Sequence, residues 1–204
     1  MTVAVLVAVL VAAGSRLIVL HVRVRALQRD AITDPLTGTF NRRHMHGVLA
    51  TTVERHRRSG DHASLLLIDV DRFKPLNDAA GHAEGDRVLH AVANALHHRL
   101  RKVDALFRFG GDEFVVLLSG ARLPGARGVA EELRAAIECA RLGGVTPVSV
   151  SIGVAELAYE QPAAEWLAAA DAALYRAKKS GRNRVAVSAA PATTPATTLQ
   201  RRIS

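Results

Sequence analysis

A single cysteine, Cys139, is all the thiol chemistry this 204-residue chain carries, so no disulfide can form within it. Its nine histidines show no metal-ligand spacing, and no zinc site is expected. Aromatic residues are sparse, at 4%. Net charge is missing where a nucleic-acid binder would need it. Residues 59–200 hold sixteen basic and sixteen acidic side chains, whereas residues 1–58 hold nine arginines against three acids. With Arg201 and Arg202 these account for the formal charge of +8, so the excess sits on the flanks of a neutral body. No recognition-helix signal offsets this, and no nucleic-acid partner is expected. The N-terminus also lacks a basic region ahead of its first apolar segment, and no cysteine framework follows, which argues against a cleaved secretory signal.

What is present is a globular composition, 49% hydrophobic and 23% charged, with length for one well-buried domain plus appendages. Val3 to Ala13 is an unbroken apolar run, followed after Gly14-Ser15-Arg16 by Leu17-Ile18-Val19-Leu20. Residues 1–20 therefore approach the length of a single weak membrane span. Arg16 would cost roughly 2.5–3.5 kcal/mol at a span centre, but near the end it can snorkel. His21, Arg23, Arg25 and Arg29 follow, so the positive-inside rule would anchor the chain in the cell membrane with the rest in the cytoplasm. The alternative is a soluble apolar helix that packs in a dimer. Residues 21–33 are a basic, helix-compatible connector, residues 34–187 the folded domain, and residues 188–204 an Ala/Pro/Thr-rich tail expected to be disordered.

Within the domain, Ser64 to Asp69 is a continuous apolar run ending in an acid, a buried strand. Apolar residues at 88, 89, 92, 95, 96 and 100 predict a helix over 86–100. A hairpin is predicted over 105–118, an amphipathic helix near 125–141, a strand over 147–154, a helix over 163–179 and a short strand over 184–187. This order suggests an α+β fold, a ferredoxin-like or palm-type antiparallel sheet with helices on one face.

The most informative string is Gly110-Gly111-Asp112-Glu113-Phe114. Paired glycines between two apolar runs signal a hairpin, because tight turns need a positive φ that glycine adopts freely. Two adjacent carboxylates leave the turn, and a strand sends neighbours to opposite faces. By itself this could be a solvated turn. The strand ending in Asp69-Val70-Asp71 changes its meaning. If that strand lies beside the hairpin, Asp69 meets Asp112 and Glu113, and three carboxylates with a backbone carbonyl make a hard-oxygen site suited to Mg²⁺ carrying phosphates.

Further strings accompany these two: Thr33-Asp34-Pro35-Leu36-Thr37-Gly38 with Asn41-Arg42-Arg43, Arg72-Phe73-Lys74 with Asn77-Asp78, and Gly81-His82 with Gly85-Asp86. Then come Ser151-Ile152-Gly153-Val154 and Ala170-Asp171 through Tyr175 to Lys178, with Gly181-Arg182-Asn183. In this order the chain resembles the GGDEF family of diguanylate cyclases over roughly residues 30–187. The resemblance implies a nucleotidyl-cyclase-like fold and the condensation of two GTP into cyclic di-GMP and pyrophosphate, one GTP on each subunit of a homodimer.

It implies Asp69, Asp112 and the Val70 carbonyl as ligands for Mg²⁺, with Mn²⁺ an alternative. Glu113 resembles the residue that helps deprotonate the ribose 3′-OH, though Asp112 also borders the metals and could be the base. Lys74 would stabilise negative charge, and Arg72 and Phe73 would offer backbone N–H groups to phosphate. Asn77 and Asp86 resemble a guanine-reading pair, since a carboxylate accepts from guanine N1–H and N2–H whereas adenine presents an acceptor at N1. Taken on its own, Asp86 also reads as the N-cap of the following helix. Lys178 and Arg182, at i and i+4, resemble triphosphate-binding cations, and also suit a helix C-terminus. Arg101 and Asp104 match the Arg-x-x-Asp of the family's inhibitory product site, which implies feedback by cyclic di-GMP. Arg127 and Arg134 cannot be matched to a supporting role there. A non-catalytic receptor for the dinucleotide is the alternative function.

Overall fold

The computed structural model describes residues 32–139 and 146–189. The apolar segment 1–20, nearly all of the connector 21–33 and the tail after residue 189 lie outside the described residues. Among the described residues no helix is long and apolar enough to cross a membrane.

Six strands form one sheet: β1 (Phe40–Asn41), β2 (Ala63–Val70), β3 (Ala105–Gly110), β4 (Glu113–Ser119), β5 (Val150–Glu156) and β6 (Val185–Val187). Their order is β1-β3-β4-β2-β5-β6. The middle four run antiparallel to their neighbours and have the β3-β4-β2-β5 order of a ferredoxin-like βαββαβ unit, as the element pattern predicts. The edges differ: β1 and β6 add in parallel. Five helices accompany the sheet in the described residues: α1 (Arg42–Ser59), α2 (Phe73–Ala80), α3 (His82–His97), α4 (Leu123–Cys139) and α5 (Ala163–Lys179).

The helices cover both faces, not one. On one side Val88, Leu89, Val92 and Leu96 of α3 and Ala126, Ala130 and Leu133 of α4 pack on Leu66, Ile68, Phe114 and Ile152. On the other, Met45 and Leu49 of α1 and Trp166, Ala170 and Leu174 of α5 pack on Leu65, Leu67, Val115 and Leu117. This two-sided cover is why β2 reads as an unbroken apolar run: all eight of its residues are buried. α1 begins where Asn41 accepts a hydrogen bond from the His44 N–H (2.9 Å) and ends at Gly60, whose φ is 72°.

Several boundaries move, the helix of 86–100 ending at His97 among them, and two of the shifts are at starts near the site. α3 starts at His82, not at residue 86, because its first turn is polar and therefore silent in an apolar period. Asp86 consequently lies inside the helix, and the N-cap assignment is wrong. β5 starts at Val150, not at residue 147, because its ladder with β2 begins at the Val70–Val150 pair where β2 ends.

Gly153 matters for where the site stands. A Cβ there would lie 2.1 Å from the Ala170 carbonyl oxygen and 2.2 Å from the Leu174 nitrogen, so α5 lies flush on β5. That contact sets the height of α5, whose last turn carries Lys178.

Candidate active site

The hairpin of β3 and β4 turns at Gly111, whose φ of 41° requires the left-handed region, after a register shift between Arg108 and Gly110. Arg108 fixes the turn by donating from Nε and Nη2 to the Gly111 carbonyl (3.1 and 2.8 Å). Its Nη1 donates to both Asp34 carboxylate oxygens (3.1 and 3.2 Å). Asp34 in turn accepts from the Thr37 N–H and hydroxyl, closing the turn that opens the domain. These contacts hold the Asp34 carboxyl below its ordinary value against the opposing effect of burial.

The register of β2 against β4 places Asp69 opposite Glu113, and the Val70 N–H donates to the Asp112 carbonyl (3.2 Å). The two strand ends are therefore juxtaposed as the sequence requires. Burial raises the Glu113 carboxyl above its ordinary value, and the charge of Asp69 adds to the rise. Asp69 is raised as well, first by burial, with the contact to Lys178 opposing. The Lys178 ammonium lies 2.6 Å from Asp69 Oδ2.

Among the described residues no group of three or more His, Cys, Asp or Glu side chains is arranged to hold a metal by itself. Mg²⁺ does not demand such a cage. It is commonly held by one or two carboxylates together with water and substrate phosphates, and the oxygen donors of Asp69 and Asp112 fit that pattern.

Asp71 has a role that the sequence did not assign. It is buried and accepts from the Ser149 and Ser151 hydroxyls (both 2.7 Å) and from the Asn183 N–H (3.0 Å). Asn183 also meets Arg134 and Glu138 of α4 through its side chain. Asp71 thereby ties the end of β2 to β5 and to the loop that carries Arg182. The sequence signal for it is the Ser149/Ser151 alternation leading into β5. Asp171, which the sequence offers only as part of the Ala170-Asp171 string, adds a smaller charge that raises Glu113.

The other candidates divide into two regions. Arg72 precedes α2 in a left-handed conformation (φ 57°), and Lys74 is exposed on the first turn. Asn77 and Gly85 pack together where α2 meets α3, beside exposed Asp86. The Asn77 Oδ1 is buried without a hydrogen-bond partner. Arg182 is exposed with φ 60°, just past the end of α5. Arg101 and Asp104 lie elsewhere. They join each other and Ser119, at the far end of β4 from Glu113. Six residue-to-residue rises along the strand separate those ends, roughly 20 Å. The pair borders a cleft of about 620 Å³ that Thr37, Asn94 and His97 also line.

A palm-type sheet with acids at the end of its central strand and at the adjoining hairpin defines a nucleotidyl-cyclase-like domain. Residues 31–184 match the family model described as "Diguanylate cyclase, GGDEF domain", and the chain belongs to that family. It is 42% identical over 159 residues to the diguanylate cyclase DgcM of Escherichia coli, covering 78% of this chain and 39% of that protein. With the diguanylate cyclase DgcP of Pseudomonas aeruginosa it shares 39% identity over 170 residues, 82% of this chain and 25% of that one. The chain therefore spans less than half the length of these curated relatives. Among solved structures, the coiled coil and GGDEF domain of DgcB from Caulobacter crescentus, in complex with c-di-GMP, aligns with a TM-score of 0.83. That alignment has 28% identity and covers 90% of this chain and 99% of that one.

Proposed function

We propose that the chain is a Mg²⁺-dependent diguanylate cyclase that joins two GTP into cyclic di-GMP across a homodimer. The observation that carries this is Asp69 facing Glu113 across two paired strand ends, with Lys178 beside them. Mg²⁺, or Mn²⁺ in its place, would be held by Asp69, Asp112 and the Val70 carbonyl, and would supply charge neutralisation for phosphate and acidify the ribose 3′-OH. Glu113 accepts the proton from that hydroxyl. Its raised carboxyl makes it a better base near neutral pH than an ordinary glutamate. Lys178 and Arg182 grip the triphosphate, the backbone around Arg72 and Phe73 donates to it, and Lys74 balances its charge. Asn77 and Asp86 read guanine. The buried, unpartnered Asn77 oxygen supports this, because such an acceptor costs about 1–3 kcal/mol until a donor reaches it. Residues 34–187 form the catalytic unit, residues 1–20 a membrane anchor and residues 188–204 a tail. Purified chain given GTP and Mg²⁺ should release cyclic di-GMP; a folded chain that releases none would overturn the proposal.

Gly85→Ala tests the guanine contact. The new Cβ would lie 1.8 Å from Asn77 Oδ1, so Asn77 must move. Steady-state kinetics should show KM for GTP rising roughly tenfold or more, with a smaller change in kcat.

Product inhibition would act through Arg101. Asp104 is nearly buried and supports the backbone at Arg101 and Ser119, so its removal would disturb the fold. Arg101 is exposed and makes the cleaner variant. Arg101→Ala should weaken inhibition by cyclic di-GMP roughly ten- to a hundredfold, the loss of a charged hydrogen-bonding group, while the initial rate stays near that of the parent.

A further inference from the structure

The geometry points to Lys178 as an internal counter-cation that keeps Asp69 closed to a divalent metal until a phosphate draws the ammonium away. The inference rests on the metal-dependent reading above but assigns Lys178 a task before substrate arrives. Its ammonium lies 2.6 Å from Asp69 Oδ2, and Asp69 retains only 11% side-chain exposure. Charges from Asp71 and Asp112 also bear on Asp69 and share its sign. Asp71 has its own donors in two serine hydroxyls and the Asn183 N–H, so Lys178 is left to Asp69. Among the described residues, Lys178 is the one cation paired with Asp69.

An ammonium and a divalent cation compete for the charge of the same carboxylate, and Lys178 already holds one of its two oxygens. A metal entering the nucleotide-free protein is repelled by that ammonium and weakens its pairing with Asp69. A nucleotide changes the balance, because its phosphate accepts the ammonium and supplies the metal with further oxygens. Metal and nucleotide then bind with positive coupling, and the free protein holds metal weakly. The position of Lys178 suits the exchange: it sits in the last turn of α5, one-third exposed, on a flexible stem.

The test is Mn²⁺ binding to the full, nucleotide-free chain, followed by electron paramagnetic resonance with circular dichroism as a check on folding. Lys178→Met should tighten Mn²⁺ binding roughly tenfold or more, as expected for removing a contacting charge from a partly buried site. Lys178→Arg, which keeps the charge, should stay within about twofold of the parent. Equal affinity in the parent and the Met variant would overturn the inference. A second measurement needs no variant. Acetylation of the parent protein, read by mass spectrometry, should label Lys178 severalfold faster as Mn²⁺ alone is added, with Lys179 unchanged. A Lys178 rate indifferent to bound Mn²⁺ would also overturn it. Neither readout uses turnover, so an inactive chain can show the exchange and an active cyclase can lack it.

Discussion

Glu113→Gln is expected to reduce cyclic di-GMP formation by about a thousandfold, within the range for losing a general base at a metal-assisted nucleophile. The same change should leave the fold intact and, without metal, make it more stable at neutral pH. The sign follows from the carboxyl being raised by burial and by Asp69. A carboxyl whose folded value exceeds its unfolded value favours folding while protonated. That contribution is complete below the ordinary glutamate value and is lost as pH rises through the raised one. Glutamine, uncharged throughout, escapes the loss. Thermal melts of parent and variant with chelator present should therefore converge near pH 4 and separate towards pH 8, with the variant melting higher. Stability gained where activity is lost marks a group held at the site against the preference of the fold. A non-catalytic receptor would show no activity to abolish.

Gly153→Val should have the largest effect on the fold. The glycine opposes the backbone of α5, and the atoms that a Cβ would strike belong to Ala170 and Leu174 main chain, which no rotamer change can move. Either α5 lifts from β5 or the strand distorts. The first outcome strips cover from Trp166, Ala170 and Leu174, all buried against the sheet. A loss of about 3 kcal/mol or more is expected in urea unfolding, at the upper end of overpacking effects. Gly153→Ala, with the same first atom and no branch, should fall only slightly less, because the clash begins at Cβ. Any protein that still folds should also lose the Lys178–Asp69 contact, since α5 carries one partner and β2 the other.

Much of this is readable from the sequence because the informative patterns are local. The apolar run before Asp69 and the paired glycines before Asp112 suffice to predict two strand ends, and the ladder confirms that Asp69 stands opposite Glu113. The period of α5 was readable to its bounds, Ala163–Lys179. Long-range pairings were not readable. Arg108 and Asp34 are 74 positions apart, and Asp71 and Asn183 are 112 apart; no spacing rule connects them. The first turn of α3 is silent in the sequence for a related reason. Glu84 is buried there by accepting from the Thr146 N–H and hydroxyl, a partner 62 residues away, so a polar residue occupies an inward position. The second helical layer does have a sequence signal. A strand that is apolar at every position must be covered on both sides, and β2 is such a strand.

One hairpin and one strand end present a single set of acids, whereas the proposed reaction consumes two GTP and needs two such sets face to face. The most direct test is GTP turnover with Mg²⁺ across a range of protein concentrations, with cyclic di-GMP and pyrophosphate both quantified. Two pyrophosphates are expected for each cyclic di-GMP, with a specific activity that rises with protein concentration until the dimer saturates. Folded chain that binds GTP yet yields no cyclic di-GMP at any concentration would contradict the proposed reaction.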